Sequence, residues 1–194
     1  MAKLKKVSYR LIPDDAEHAH MHRLLNELII EHHAHLKDAR IALAWHKGWT
    51  ADKDGRVTLG KCKRATDLDR QLAKFDFVII LNREFWTHPD VTEVQRRALV
   101  DHELYHAEIA RDDASEPIED ETGRIVYRIR KHDIEEFASI VERYGCYKHD
   151  LENFAAALFR SPQQQMFAAE KEERKKRAAP VKGQTVSEST SATH

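Results

Sequence analysis

The sequence predicts an α+β domain in which helices pack on a small sheet of three to four strands. Apolar residues recur every three to four positions in several segments, as on helix faces, and three short segments before residue 82 read as strands. Their order is helix, three strands, helix, short strand, helix, helix. That order suits one helix laid against a small sheet.

Each element has its own signal. Residues from about Asp14 to Leu36 form the first helix, with Leu24, Leu25, Leu28 and Ile29 as its apolar stripe. Ile41, Leu43 and Trp45 alternate with smaller residues and mark a strand. Asp52 to Gly55 is a turn, and Val57 to Cys62 alternates again as a second strand. A polar piece around Asp67 to Leu72 is helical or looped. Phe75 to Leu81 makes a third, more buried strand. Asp90 as N-cap with Glu93 three residues on opens the next helix, and Val91, Val94, Ala98, His102, Tyr105, His106 and Ile109 share its inward face. Thr122-Gly123 turns the chain into a short strand from Arg124 to Arg130. A helix follows from near His132 to Tyr144, capped by Gly145, and a last one runs from Asp150 to Phe159.

The 194 residues suffice for one domain with a tail, and a formal net charge of -1 gives no global argument for nucleic-acid or membrane binding. The expected division is a domain over residues 1–160 and a charged helical extension with a disordered tail over 161–194. Glu170 to Arg177 is almost wholly charged, and the Pro-, Ser- and Thr-containing run beyond Ala179 cannot bury enough apolar surface to offset its ordering entropy. No apolar run reaches transmembrane length, and no signal-peptide core follows the basic Met1 to Lys6 segment, so the expected compartment is the cytoplasm. Cys62 and Cys146, far apart and in no CxxC pair, read as reduced thiols.

The chemistry sits in His102-Glu103-Leu104-Tyr105-His106. Residues four apart on a helix project from one face, so the two imidazoles can share a metal ion, with Glu103 placed to reach a metal-activated water. The pattern is short and the chain holds 13 histidines, so it needs support from its context. A catalytic zinc takes three protein ligands and keeps one position open. The third ligand is to be sought among His132, Asp133, Glu135 and Glu136.

Leu99 to Ala107 together with His132-Asp133-Ile134-Glu135-Glu136-Phe137 resembles the putative phage metallopeptidase family and, more distantly, SprT-like and other minimal zincin domains. The resemblance runs from about His35 to Gly145 and implies a minimal zincin-like fold. It implies a Zn2+ ion on His102, His106 and His132, with Phe137 as the aromatic residue downstream of the third ligand. It also implies peptide-bond hydrolysis with Glu103 as general base, on a protein or peptide substrate that an edge strand aligns. Either Leu59 to Cys62 or Val78 to Leu81 could serve as that strand. In the glutamate-ligand zincins an acidic residue of the downstream helix replaces the third histidine, and Glu136 would take that place. Tyr105, Tyr127, Tyr144 and Arg143 are candidate oxyanion donors, and Asp101 or Asp133 could orient a ligand imidazole.

Other readings compete with this one. The alternative function is a non-catalytic, zinc-stabilised module that binds DNA or protein. An intact Glu103 speaks against it, since a structural site needs no base between its ligands. A nucleic-acid role has local support only from Arg124, Arg128, Arg130 and Lys131. The second histidine cluster, His18, His20, His22, His32, His33 and His35, reads as exposed positions on a charged helix.

Overall fold

A computed structural model describes residues 8–162 and bears out the α+β class. The chain divides into two compact units, Met1–His132 and Asp133–His194. The charged extension and tail expected from residue 161 lie outside the described residues except for Ser161 and Pro162. No helix of the described residues is long and apolar enough to cross a membrane.

In the first unit, β1 (Tyr9–Leu11) is followed by α1 (Ala19–His32), a 3-10 turn (Ala34–Leu36), β2 (Ile41–His46), β3 (Gly60–Arg64), α2 (Asp67–Ala73) and β4 (Phe77–Asn82). Then come α3 (Arg83–Trp86), α4 (Glu93–Tyr105), β5 (Ala107–Ile109) and β6 (Tyr127–Ile129). The main sheet has the order β1-β2-β4-β3, with β2 and β4 parallel and both outer strands antiparallel to their neighbours. Of the two strands expected to offer a substrate edge, β4 is therefore interior, and only β3 has a free side.

The register explains the core. Leu43 pairs with Ile79 and Cys62 with the same Ile79, so these side chains share one face of the sheet. That face carries Leu43, Cys62, Phe77, Ile79 and Leu81. It packs with Met21, Leu25 and Leu28 of α1 and Val100 and Leu104 of α4 in one cluster. Beside this core, Asp76 is almost fully buried and takes charged bonds from two arginines: Arg70 Nε at 2.8 Å and Arg40 Nε at 3.3 Å. Arg70 also donates to the Ile125 carbonyl at 3.2 Å, tying α2 to the approach to β6. Of the arginines expected to form a wet strand face, Arg124 pairs with Asp120 and Arg128 with Glu108.

Several expectations need correction. The helix expected to start at Asp90 begins at Glu93 with Thr92 as N-cap. Thr92 Oγ1 accepts from Gln95 N–H and Gln95 Oε1 accepts from Thr92 N–H at 2.8 Å, so the capping box is shifted by two residues. Its buried face is also different. Val94, Ala98 and Tyr105 are exposed, while Val100, Glu103, Leu104 and Ala107 point into the molecule. The stripe 100-103-104-107 has true helical spacing, and it turns the two histidines to the open side. The helix ends at Tyr105, and the chain passes through His106 directly into β5, a strand the residue pattern did not announce.

The second unit holds α5 (Ala138–Tyr144) and α6 (His149–Arg160). The helix expected from His132 starts only at Ala138. Ahead of it, Glu136 Oε1 accepts from Phe137 N–H at 2.9 Å, a local bond outside helical geometry. The Glu136 carboxylate also accepts from the Tyr147 hydroxyl and pairs with Lys148 Nζ at 2.6 Å.

Candidate metal centre

His102 stands in the last turn of α4, His106 at its C-cap, and His132 in the extended segment three residues past β6. Antiparallel pairing of β5 with β6 brings them together. Ala107 lies opposite Ile129, so the next pair outward is His106 with Arg130. Arg130 N–H donates to the His106 carbonyl at 2.8 Å, extending the ribbon by one step. Two residues further on, His132 reaches the pentad.

The three imidazoles offer ring nitrogens that all lie within 4.8 Å of one another. His102 Nε2 and His132 Nε2 are 3.1 Å apart, and the ring centroids of His106 and His132 are separated by 4.6 Å. Donors ~2.1 Å from a shared tetrahedral zinc would be roughly 3.4 Å from each other, so the set fits an ion of that size. The donor chemistry fits as well. His106 Nδ1 sits 2.7 Å from the Arg130 carbonyl, which can only accept, so Nδ1 carries the proton and Nε2 keeps its lone pair for a metal. Burial, then the neighbouring His106 and His132, hold the His102 pKa below its ordinary value, which favours the neutral, ligating form.

Glu103 projects toward β3, beside the face that carries the histidines and one helical turn from His106, and is 3% exposed. The Cys62 backbone N–H on β3 faces its carboxylate. Burial raises its pKa above the usual carboxylate range, while His106, the Cys62 N–H and Lys61 pull the other way. The Cys62 thiol is pushed up to about 12 by burial and by the negative charge of Glu103. The pentad thus puts its imidazoles on the open side of the helix and its carboxylate against the sheet.

Of the other third-ligand candidates, Asp133, Glu135 and Glu136 belong to the second unit, where Glu136 is held by Tyr147 and Lys148. Tyr127, a candidate oxyanion donor, packs in the core with its ring on Phe77. Asp101 is one of the two carboxylates, with Asp133, that could orient a ligand imidazole. It is instead bonded to His33, while His106 takes the Arg130 carbonyl in that role. The second histidine cluster is also not uniformly exposed: His33 is 2% exposed, and His35 Nε2 lies 3.2 Å from the Ala107 carbonyl. The pair 33 and 35 therefore brackets the pentad from both sides, at Asp101 and Ala107. No sequence signal distinguished His33 from His20, His32 or His35, which are exposed.

An α+β domain whose three convergent histidines can hold a metal ion is the class that this fold and site define. The chain belongs to the family described as putative phage metallopeptidase, which matches residues 14–161. Neither a curated protein nor a solved structure matches it.

Proposed function

We propose that the protein is a zinc-dependent metallopeptidase in which His102, His106 and His132 hold the ion and Glu103 is the general base. The convergence of three imidazoles beside a buried carboxylate carries this reading. A three-nitrogen set suits zinc better than the oxygen-seeking calcium or magnesium, and three protein ligands leave one coordination position open. When bound, the ion supplies Lewis acidity that polarises a peptide carbonyl and lowers the pKa of water towards ~7.

The chain's own residues do the rest. The Arg130 carbonyl fixes the tautomer of His106 and turns its Nε2 toward the shared centre. Glu103 accepts a proton from the attacking water and passes it to the leaving amine nitrogen as the C–N bond breaks. Its raised pKa increases the carboxylate's affinity for that proton between the two transfers. The substrate is a protein or peptide, and the free side of β3 supports alignment of an extended segment there.

Metal analysis and a protein-hydrolysis assay test the proposal together. The wild type and Glu103→Gln should each carry about one zinc per chain, and His102→Ala/His106→Ala none. Denatured casein should be cleaved by the wild type and not by Glu103→Gln. Unchanged zinc in the double histidine variant ends the reading. Zinc binding with no hydrolysis by either protein would instead favour the non-catalytic zinc-stabilised module, and equal hydrolysis by both would remove Glu103 as the base.

A further inference from the structure

Among the described residues β3 is an outer strand, paired on one side only. Two flanking hydrogen bonds fix its phase: Asn82 N–H donates to the Leu59 carbonyl and Ala65 N–H to the Asp76 carbonyl, both at 2.8 Å. In an antiparallel pair such bonds fall on alternate residues, so 59, 61, 63 and 65 face β4. The backbone groups of Gly60, Cys62 and Arg64 point off the free side. Cys62 N–H is thereby turned toward Glu103 and favours the charged form of its carboxylate.

Gly60 stands two residues earlier on the same side. A Cβ built there would lie 2.5 Å from Glu103 Oε1, 2.9 Å from its Cδ and 3.0 Å from its Cγ. All three separations are well inside the ~3.5–4.0 Å of ordinary contact between carbon atoms. The backbone does not demand glycine here. Gly48, Gly55, Gly123 and Gly145 have positive φ, whereas Gly60 does not. What the position requires is space.

We infer that Gly60 is a positioning residue whose missing side chain sets where the Glu103 carboxylate lies against the sheet edge. Any side chain at 60 drives the carboxylate from its site and from the Cys62 N–H. The catalytic consequence rests on Glu103 acting as the base, whereas the structural consequence rests on packing alone.

The test uses the full, zinc-loaded chain and four forms: wild type, Gly60→Ala, Glu103→Ala and the double variant. In nitrogen-15-labelled protein, Gly60→Ala should move the Cys62 amide proton upfield toward its position in Glu103→Ala. Casein hydrolysis should fall about a hundredfold, the scale of a displaced general base, with zinc content unchanged. An unmoved Cys62 amide overturns the inference, as does hydrolysis that stays within about twofold of wild type. Should Gly60→Ala fail to fold, the double variant is expected to fold because the overlapping carboxylate is gone. Its failure would also overturn the inference. A wild type with no zinc-dependent hydrolysis, but a Cys62 amide that still responds to Gly60→Ala, sinks the peptidase reading and leaves the packing relationship standing.

Discussion

His33 Nε2 lies 2.6 Å from Asp101 Oδ1 and joins the end of α1 to the residue just before the pentad, across 68 positions of sequence. The imidazole is almost wholly enclosed while the Asp101 carboxylate is partly open, so the bond is shielded from water on the imidazole side. Replacing His33 by alanine leaves a void and removes the partner of Asp101. The expected loss is ~1–3 kcal/mol of stability, read as a lower thermal midpoint, with zinc content unchanged. A His33→Ala protein that melts like wild type would show that this bond does not hold α4 in place.

The third ligand of the proposed zinc ion can be decided by comparing two single substitutions. His132→Ala should weaken zinc binding by more than about a hundredfold, exceeding the loss from an outer-shell partner. Glu136→Ala should leave the affinity near wild type, since Glu136 already serves Tyr147 and Lys148. Competition with a chromophoric chelator measures both, and the reverse ranking would move the ligand assignment to Glu136.

Asp76 gives the first unit an acid-sensitive joint. Burial by itself would raise its pKa, but bonds from Arg40 and the charges of Arg40 and Arg70 hold it below the usual carboxylate value. A folded pKa below the unfolded one stabilises the fold above the unfolded value of ~3.9, and that contribution is lost as pH falls through the folded value. Asp76→Asn should therefore melt lower than wild type at pH 7, and the gap should close as the pH drops below ~4. Thermal melts at a series of pH values check this, and a gap that widens in acid would contradict it. Because the buried Arg70 loses its closer carboxylate and keeps only Asp120, at 3.9 Å, and the Ile125 carbonyl, the neutral-pH cost of Asp76→Ala should reach ~3 kcal/mol.

The two cysteines should titrate very differently. Cys146 is exposed, whereas Cys62 is buried and its thiol is raised to about 12. Thiolate is the reactive form, so the folded protein should release colour from one thiol per chain with a disulfide reagent at pH 8, and from the second only after denaturation. Rapid reaction of both thiols in the native state would count against the burial of Glu103 and Cys62 together.

The pentad and His132 were legible because ligand chemistry names residue types and a four-residue spacing names a face. The strands Ile41 to His46 and Phe77 to Asn82 were legible for a similar reason, since they carry the core-facing alternation. The orientation of α4 was not legible. Its apolar content is modest, and the register of its buried stripe depends on one charged residue, Glu103, which only tertiary packing marks as an inside position. β1 and β5, at three residues each, are too short for periodicity to register. The clearances at Gly60 and the partners of His33 and His35 are relations between segments far apart in sequence, and one sequence carries no trace of them.

The route from His106 to His132 has a thermodynamic consequence. The chain leaves the pentad along β5, turns, returns along β6 and delivers His132 within the first unit, so the three histidines proposed as ligands belong to one ribbon and the helix that feeds it. An ion held by these residues would bind the folded chain and not the unfolded one, so its binding free energy would add directly to the stability of the ribbon and helix. Chelation should therefore lower the melting temperature, and by mass action the shift should grow with the free zinc present beforehand. On this reading the ion is a chain fastener as well as a reagent.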